Sequence, residues 1–192
     1  GRVYKSDGPE PLTGVEVNIN ALRGDQCHEW LPGGRNTNTN SADGRYILMG
    51  LPAGKYYLEL NNNNQSNYVN EWWSSGGDSH SCEDAEPMTL TSGGELTDKD
   101  FYLDLGGSIS GRVTDQGDFP IFDMHVYVHS EGCGGDWLGG CNTDSDGKYT
   151  ITGVPAGDVY VQTCSSCSGL NYIDELYDNR TDCNEADPVT VS

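Results

Sequence analysis

Apolar side chains recur at every second position through much of the chain, as in Val15, Val17 and Ile19, in Tyr46 and Leu48, and in Tyr56, Leu58 and Leu60. A period of two puts alternate side chains on opposite faces of an extended backbone, so these stretches predict half-buried β-strands. Turn-forming residues punctuate them. Asp43-Gly44 and Asp146-Gly147 are hairpin dipeptides, and Pro52-Ala53-Gly54 and Pro155-Ala156-Gly157 predict tight connections between the strands on either side, because Gly reaches positive φ freely and Pro fixes φ.

The pattern occurs twice. Gly1-Arg2-Val3 matches Gly111-Arg112-Val113, and Ala42-Asp43-Gly44-Arg45-Tyr46-Ile47 matches Ser145-Asp146-Gly147-Lys148-Tyr149-Thr150. Gly50-Leu51-Pro52-Ala53-Gly54 matches Gly153-Val154-Pro155-Ala156-Gly157; Asn67-Tyr68-Val69 matches Asn171-Tyr172-Ile173; Ala85-Glu86-Pro87-Met88-Thr89 matches Ala186-Asp187-Pro188-Val189-Thr190. The order is the same in both copies, which predicts two tandem modules, residues 1–106 and 107–192, each of a size usual for an immunoglobulin-like sandwich.

The run Asn142-Thr143-Asp144-Ser145-Asp146-Gly147-Lys148-Tyr149-Thr150-Ile151 followed by Gly153-Val154-Pro155-Ala156-Gly157, with its counterpart ending in Gly50-Leu51-Pro52-Ala53-Gly54, resembles the carboxypeptidase regulatory-like domain. That family is related to transthyretin-like and collagen-adhesin B-type sandwiches, and the resemblance covers both modules almost end to end. It implies an all-β chain of two tandem Greek-key, immunoglobulin-like (transthyretin/prealbumin-like) β-sandwiches that serve as non-catalytic modules of secreted or surface proteins. Lys5 stands near the place where adhesin B-type domains carry an isopeptide lysine, and Thr114 occupies the related region of the second module.

The terminal strands are expected to be incomplete. Module two is approached through Phe101-Tyr102-Leu103-Asp104-Leu105-Gly106-Gly107-Ser108-Ile109-Ser110-Gly111, a closing strand of module one running into an opening strand of module two. Module one has no such lead-in, and Ser192 falls opposite Thr91, so module two lacks the counterpart of Asp100 to Leu105. An unpaired sandwich edge invites strand addition, either from a neighbouring copy or from sequence outside this window.

Composition narrows the classes of partner. Thirty acidic against 10 basic side chains in 192 residues leave a net charge of −20, which would repel a phosphate backbone and excludes nucleic acid as a partner. No stretch approaches the ~20 apolar residues of a membrane span. Seven cysteines in an acidic, Gly-rich chain predict an oxidised extracellular or cell-surface setting.

Several residue groups are candidates for chemistry. Asn142, Asp144 and Asp146 before Gly147 reproduce the first half of a calcium loop, with oxygen ligands at alternating positions and a glycine for the turn. The bidentate acid of the second half would fall at Gly153, so a plain Asp-Gly hairpin competes with a calcium site, and no cofactor is required. Cys164-Ser165-Ser166-Cys167 follows a strand pattern with no helix to lower a thiolate pKa, and predicts a local disulfide rather than a redox centre. Counting alternating strands puts Cys27, Cys133 and Cys141 at the opposite module end from Cys82, Cys164, Cys167 and Cys183. Cys82 would then approach Cys133 and Cys141, and Cys27 would approach Cys183 of a preceding copy. The favoured alternative is local pairing, Cys133 with Cys141 and Cys164 with Cys167, because short loops close most readily.

His28, His80, His125 and His129 do not cluster in sequence, and His125 and His129, which share a strand face, lack an obvious acid or nucleophile beside them, so no enzyme activity is expected. Trp30, Trp72, Trp73, Trp137, Tyr68, Tyr172 and Tyr177 fall in predicted loops, where flat rings could stack on sugars or pack between modules. Asn64 and Asn179 begin glycosylation sequons in polar loops. Together these features predict a structural subunit of an extracellular fibre, pilus or surface stalk, a cell-surface glycoprotein associating with copies of itself head to tail. The alternatives are a carbohydrate-binding accessory module of a secreted hydrolase and a calcium-stiffened adhesin.

Overall fold

The period-two stretches become strands in the computed structural model, which describes residues 1–192 except His28, Trp30 and Asp78. The chain is all-β and divides into two units, Gly1–Asp104 and Leu105–Ser192. The first holds β1 (Val3–Lys5), β2 (Asn18–Arg23), β3 (Arg35–Asn38), β4 (Gly54–Asn61), β5 (Glu71–Trp72), β6 (Met88–Leu90) and β7 (Phe101–Leu103). The second holds β8 (Gly107–Arg112), β9 (His125–Glu131), β10 (Gly134–Asn142), β11 (Lys148–Val154), β12 (Gly157–Cys164) and β13 (Val189–Val191).

In the first unit β4 is the central strand of a sheet ordered β3-β2-β4-β5, with β6 also on β4. Tyr56, Leu58 and Leu60 alternate inward and pack with Ile19 and Ala21 of β2. The same core takes Val3, Phe101 and Leu103 from the opposing parallel pair β1-β7. In the second unit β9 and β12 lie at the middle of a sheet ordered β10-β9-β12-β13, opposed by the antiparallel pair β8-β11. Val126 and Val128 from one layer meet Ile109, Ile151 and Val154 from the other. Two packed layers of alternating residues are the sandwich architecture that the repeat implied.

The repeat is legible atom by atom at one corner. Gly1 exchanges backbone hydrogen bonds with Tyr46, 3.2 Å from Gly1 N to Tyr46 O and 3.0 Å in the reverse sense, and Arg2 bridges Arg45. In the second unit Gly111 and Arg112 pair with Tyr149 and Lys148 in the same register. Glycine is required here, because a Cβ at Gly1 or at Gly111 would lie 2.7 Å from the ring of Tyr46 or Tyr149 respectively. The Tyr46 hydroxyl donates to the Lys99 carbonyl, and burial, with the Asp100 charge adding to it, holds that hydroxyl well above its ordinary pKa.

One feature of the topology departs from the strand count expected from sequence. β5 and β6 do not stand on separate edges. Glu71 and Trp72 pair with Leu60 and Glu59, and Met88 to Leu90 continue down the same edge of β4 opposite Tyr56 to Gly54. The two are halves of a single edge strand, interrupted by an excursion over residues 74–87 after Trp73 donates to the Leu58 carbonyl. In the second unit Leu176 bridges Gln162 and Tyr177 donates to the Val161 carbonyl, after which β13 resumes opposite Val159 to Gly157. The excursion there covers residues 178–188.

Leu60 is wholly buried, so Leu60→Ala removes both transfer energy and packing and is expected to lower stability by about 2–5 kcal/mol in urea unfolding. Glu59 offers a test with a pH signature. Burial raises its carboxyl pKa, partly offset by a hydrogen bond from the Asn20 amide at 2.9 Å, and Gln162 holds the corresponding place in the second unit. A raised folded-state pKa means stability that is present below the ordinary carboxyl range and is lost as pH rises through the folded value. Glu59→Gln is therefore expected to raise the urea midpoint at pH 7 and to leave it unchanged near pH 3; the same shift at both pH values would contradict this cause.

Candidate functional site

Each unit is stapled at its excursion. Cys27, on the loop after β2, bonds to Cys82 across 55 residues, and Cys133, on the loop after β9, bonds to Cys183 across 50. Both second cysteines open a 3-10 turn, Cys82–Asp84 or Cys183–Glu185, whose first backbone amides are met by the Ser81 hydroxyl and the Asp182 carboxylate. Cys27, Tyr57 and Ala85 form a small apolar cluster beneath the first staple. Cys164 and Cys167 also join.

These bonds correct the local pairing of Cys133 with Cys141. Cys133 is taken by Cys183, and Cys141 keeps a thiol that donates to the Thr150 carbonyl at 3.3 Å. They also correct the placement of Cys27 and Cys82 at opposite module ends, and with it the expected approach of Cys82 to Cys133 and of Cys27 to a neighbouring copy's Cys183. Strand counting failed because the interrupted edge strand carries Cys82 back toward the start of β4, the end where Cys27 already lies.

Asn142, Asp144 and Asp146 are engaged in a hairpin rather than gathered around a central point. Asp144 Oδ1 accepts from the backbone N–H of Asp146 at 2.8 Å and of Lys148 at 2.9 Å. The backbone bond from Lys148 is the main reason its carboxyl pKa is lowered. Asp146 pairs with the Lys148 ammonium at 3.1 Å, and the Asn142 amide donates to Asp123 at 2.7 Å while its oxygen faces His125. Among the described residues no group of three or more His, Cys, Asp or Glu side chains is placed to hold a metal. Lys5 pairs with Glu10 at 3.7 Å.

The aromatic candidates separate. Trp30 lies outside the described residues. Trp73 is buried in the first core, with the Lys99 ammonium 3.7 Å from its ring centroid, and Trp72 belongs to β5 and packs beside the Cys27–Tyr57 cluster. Neither is a free loop ring, and Tyr68 is half-buried against the same core as Trp73. Tyr172 and Tyr177 are exposed. Trp137 is exposed too, but on β10, directly across from His129, which in turn lies across from Tyr160 of β12. This cross-strand row was not visible in sequence, and Tyr127 stands edge-on to His129 at 4.7 Å between ring centroids. Asn179 is exposed and Asn64 half-buried, both with positive φ.

A groove of about 840 Å³ in the first unit lies between residues 45–51 and residues 94–100. Past Tyr46 the backbone of residues 47–51 is paired with no strand among the described residues. The groove wall carries Ile47, Leu48, Met49, Leu51, Leu90 and Leu96, and Ile47 and Met49 are 72% and 78% exposed. The sequence held a signal for this edge that its period-two pattern concealed: residues 46–49 are apolar on both faces, whereas Thr150 and Thr152 hold the outer positions of the second unit.

No protein-family model and no curated protein matches the chain. Similar solved structures include a streptococcal ancillary pilin, 14% identical, matched over 83% of this chain at a TM-score of 0.35; the chain spans 50% of that pilin's length. GBS52, the minor pilin of Streptococcus agalactiae, is 15% identical over 99% of this chain and 89% of its own, with a TM-score of 0.32. A C-terminal fragment of the pilus adhesin SpaC from Lactobacillus rhamnosus GG is 10% identical over 98% and 84%, with a TM-score of 0.26.

Non-reducing peptide mapping is expected to return Cys27–Cys82, Cys133–Cys183 and Cys164–Cys167, with alkylation confined to Cys141. Burial raises the Cys141 thiol pKa, so that alkylation at pH 8 should be slower than for free cysteine and should accelerate as pH rises. Removing one long staple, as in the pair Cys133→Ser and Cys183→Ser, is expected to cost about 2–4 kcal/mol of stability.

Proposed function

We propose that this chain is a structural subunit of an extracellular fibre, pilus or surface stalk, built from β-sandwich modules that associate head to tail. The observation that carries the proposal is the double use of one connecting segment. Phe101–Leu103 closes the first unit as β7, parallel to β1, and a few residues later Gly107–Arg112 opens the second as β8, antiparallel to β11. Each unit uses one of these strands. Among the described residues the first has no partner strand along residues 47–51. The second has none, among the described residues, on the side of Val113 where β7 lies in the first. A connecting segment that closes one module and opens the next suits modules joined in series.

Two long disulfides and a third local one fit an oxidising location outside the cell or on its surface. They are spent within units, so cohesion between copies falls to strand pairing and packing. Calcium has no role in this proposal, since the carboxylates that suggested it serve a turn. Asn179, exposed on the second excursion, is the better placed of the two glycan acceptors.

A second function is supported by the row Trp137, His129 and Tyr160 on one sheet face. Flat, partly exposed rings side by side suit stacking on a polysaccharide, as in a carbohydrate-binding accessory module.

Negative-stain electron microscopy of the concentrated protein separates the two: filaments are expected, and single particles at all concentrations would refute self-association. Trp137→Ala should leave filaments intact, and if it instead abolishes retention on insoluble polysaccharide, the second function stands. Intact-mass measurement on native material is expected to show a glycan on Asn179, and a bare polypeptide mass, less the hydrogens lost to disulfides, would exclude it.

A further inference from the structure

We infer that the outer face of the first unit's β3-β2-β4-β5 sheet carries a binding site for an uncharged polysaccharide, in which Glu59 and Asn20 hold neighbouring hydroxyls and Trp72 lies against a sugar ring. The inference goes beyond the fibre proposal and concerns a different unit from the row at Trp137; it depends on neither. Its physical basis is internal to the chain, because the second unit builds the same three positions from other residues.

Leu58 and Leu60 of β4 and Ile19 and Ala21 of β2 belong to the core, so Glu59 and Asn20 between them stand on the opposite face of the sheet. Asn20 lies across from Glu59 on one side and Trp72 on the other, which makes a row of three side chains over β2, β4 and β5. The Asn20 amide donates to Glu59 Oε2 at 2.9 Å, while Oε1 accepts from no described residue. Packing beside the Cys27–Tyr57 cluster holds the ring of Trp72, and its backbone exchanges hydrogen bonds with Ser79 at 2.7 and 3.3 Å. In the second unit the row reads Tyr127, Gln162 and Leu176. The scaffold therefore folds with a neutral amide in the place of Glu59, a phenol in the place of Asn20 and an aliphatic residue in the place of Trp72. None of the three is demanded by the sandwich. The carboxylate works against it, since burial raises its pKa, and a half-buried charge with one oxygen unmet is the kind of group that marks a ligand site.

The chemistry of the ligand follows from what the row offers. An ionised carboxylate only accepts, whereas the amide of Asn20 both donates and accepts, so two adjacent hydroxyls of one sugar satisfy both groups. The indole of Trp72 supplies a flat apolar surface for the C–H face of a pyranose. On the side away from Trp72, Asn36 lies across from Asn20, and in the neighbouring row Asn18 donates to Asn38 at 2.8 Å. These asparagines are half-buried or exposed and continue an uncharged surface of donors and acceptors over β2 and β3. Three strand spacings separate Asn36 from Trp72, about 14 Å, room for more than one sugar unit. A net charge of −20 disfavours acidic polymers. An extended peptide would pair with a strand edge, whereas this row lies on a sheet face, and among the described residues no metal-holding cluster is present.

The test uses the intact 192-residue protein carrying Trp137→Ala, so that the row of the second unit does not contribute, and compares it with the same protein carrying Glu59→Gln or Trp72→Leu, each borrowed from the second unit. Binding is read by affinity electrophoresis in amylose, laminarin and mannan and by depletion onto cellulose and chitin, with alginate as the acidic polymer, and urea unfolding is followed in parallel. The parent is expected to be retained by at least one neutral polymer and not by alginate. Glu59→Gln should weaken retention about 10- to 100-fold, as the loss of hydrogen bonds to a charged group implies, even though the same change raises the urea midpoint at pH 7; a structural role alone would not weaken binding while stability rises. Trp72→Leu should weaken it about 2- to 10-fold, and decides the matter by itself if Glu59→Gln lowers the urea midpoint instead. Absence of retention on every neutral polymer would overturn the inference, as would retention that neither substitution changes, or equal retention by alginate. Binding by the unmodified protein that Trp137→Ala alone abolishes would also overturn it and assign the polysaccharide to the second unit. Filaments without retention would leave the fibre proposal standing and remove this one; retention without filaments would do the reverse.

Discussion

Everything in each unit leans on one eight-residue strand that is hydrogen-bonded along both of its edges, β4 in the first unit and β12 in the second. The first unit flanks its central strand with a long strand on one side and two short ones on the other, and the second with a long strand on one side and an isolated bridge followed by one short strand on the other. The split edge is the less secure side, because three residues of β6 or β13 hold few ladder bonds. The disulfide and the capped 3-10 turn restrain the excursion between the halves and limit the freedom with which the ladder could open. The staples close loops of 55 and 50 residues, which gives them their energetic weight.

The sequence made some of this visible and hid the rest for identifiable reasons. The alternation of Tyr56, Leu58 and Leu60 and the matched turns Asp43-Gly44 and Asp146-Gly147 carry the strand pattern and the duplication, because periodicity and positive-φ glycines act locally. The cysteine pairs were hidden because their geometry is set by β5 and β6 sharing an edge, and nothing in the linear sequence shows that Trp72, which reads as a loop residue, and Met88 to Leu90 lie along the same strand. Trp73 was misjudged for the same reason: adjacent side chains on an edge strand face opposite ways, so one of two neighbouring tryptophans had to turn into the core. The row of Trp137, His129 and Tyr160 joins three strands and has no local signature.

Duplication has produced two units that share a scaffold and differ in what they leave uncovered. The outer positions along β11 are threonines beneath a paired strand, while their counterparts in the first unit are Ile47 and Met49 in the open. An exposed pair of large apolar residues on an unpaired edge is the combination that folded proteins ordinarily avoid by placing charges or proline there. Lys99 and Asp100, which stand close by, engage the ring of Trp73 and the backbone of Arg2.

The interrupted edge strand also bears on how such a chain can change over generations. Both feet of each excursion stand on one edge of one central strand, so segments inserted or deleted between them leave the pairing on either side in register. The two excursions already differ in length and in the residues that precede the staple cysteine, yet both return to the same staple. A lineage could therefore exchange the outer loops of these modules freely, varying the surface they present, while the architecture that holds them passes down unaltered.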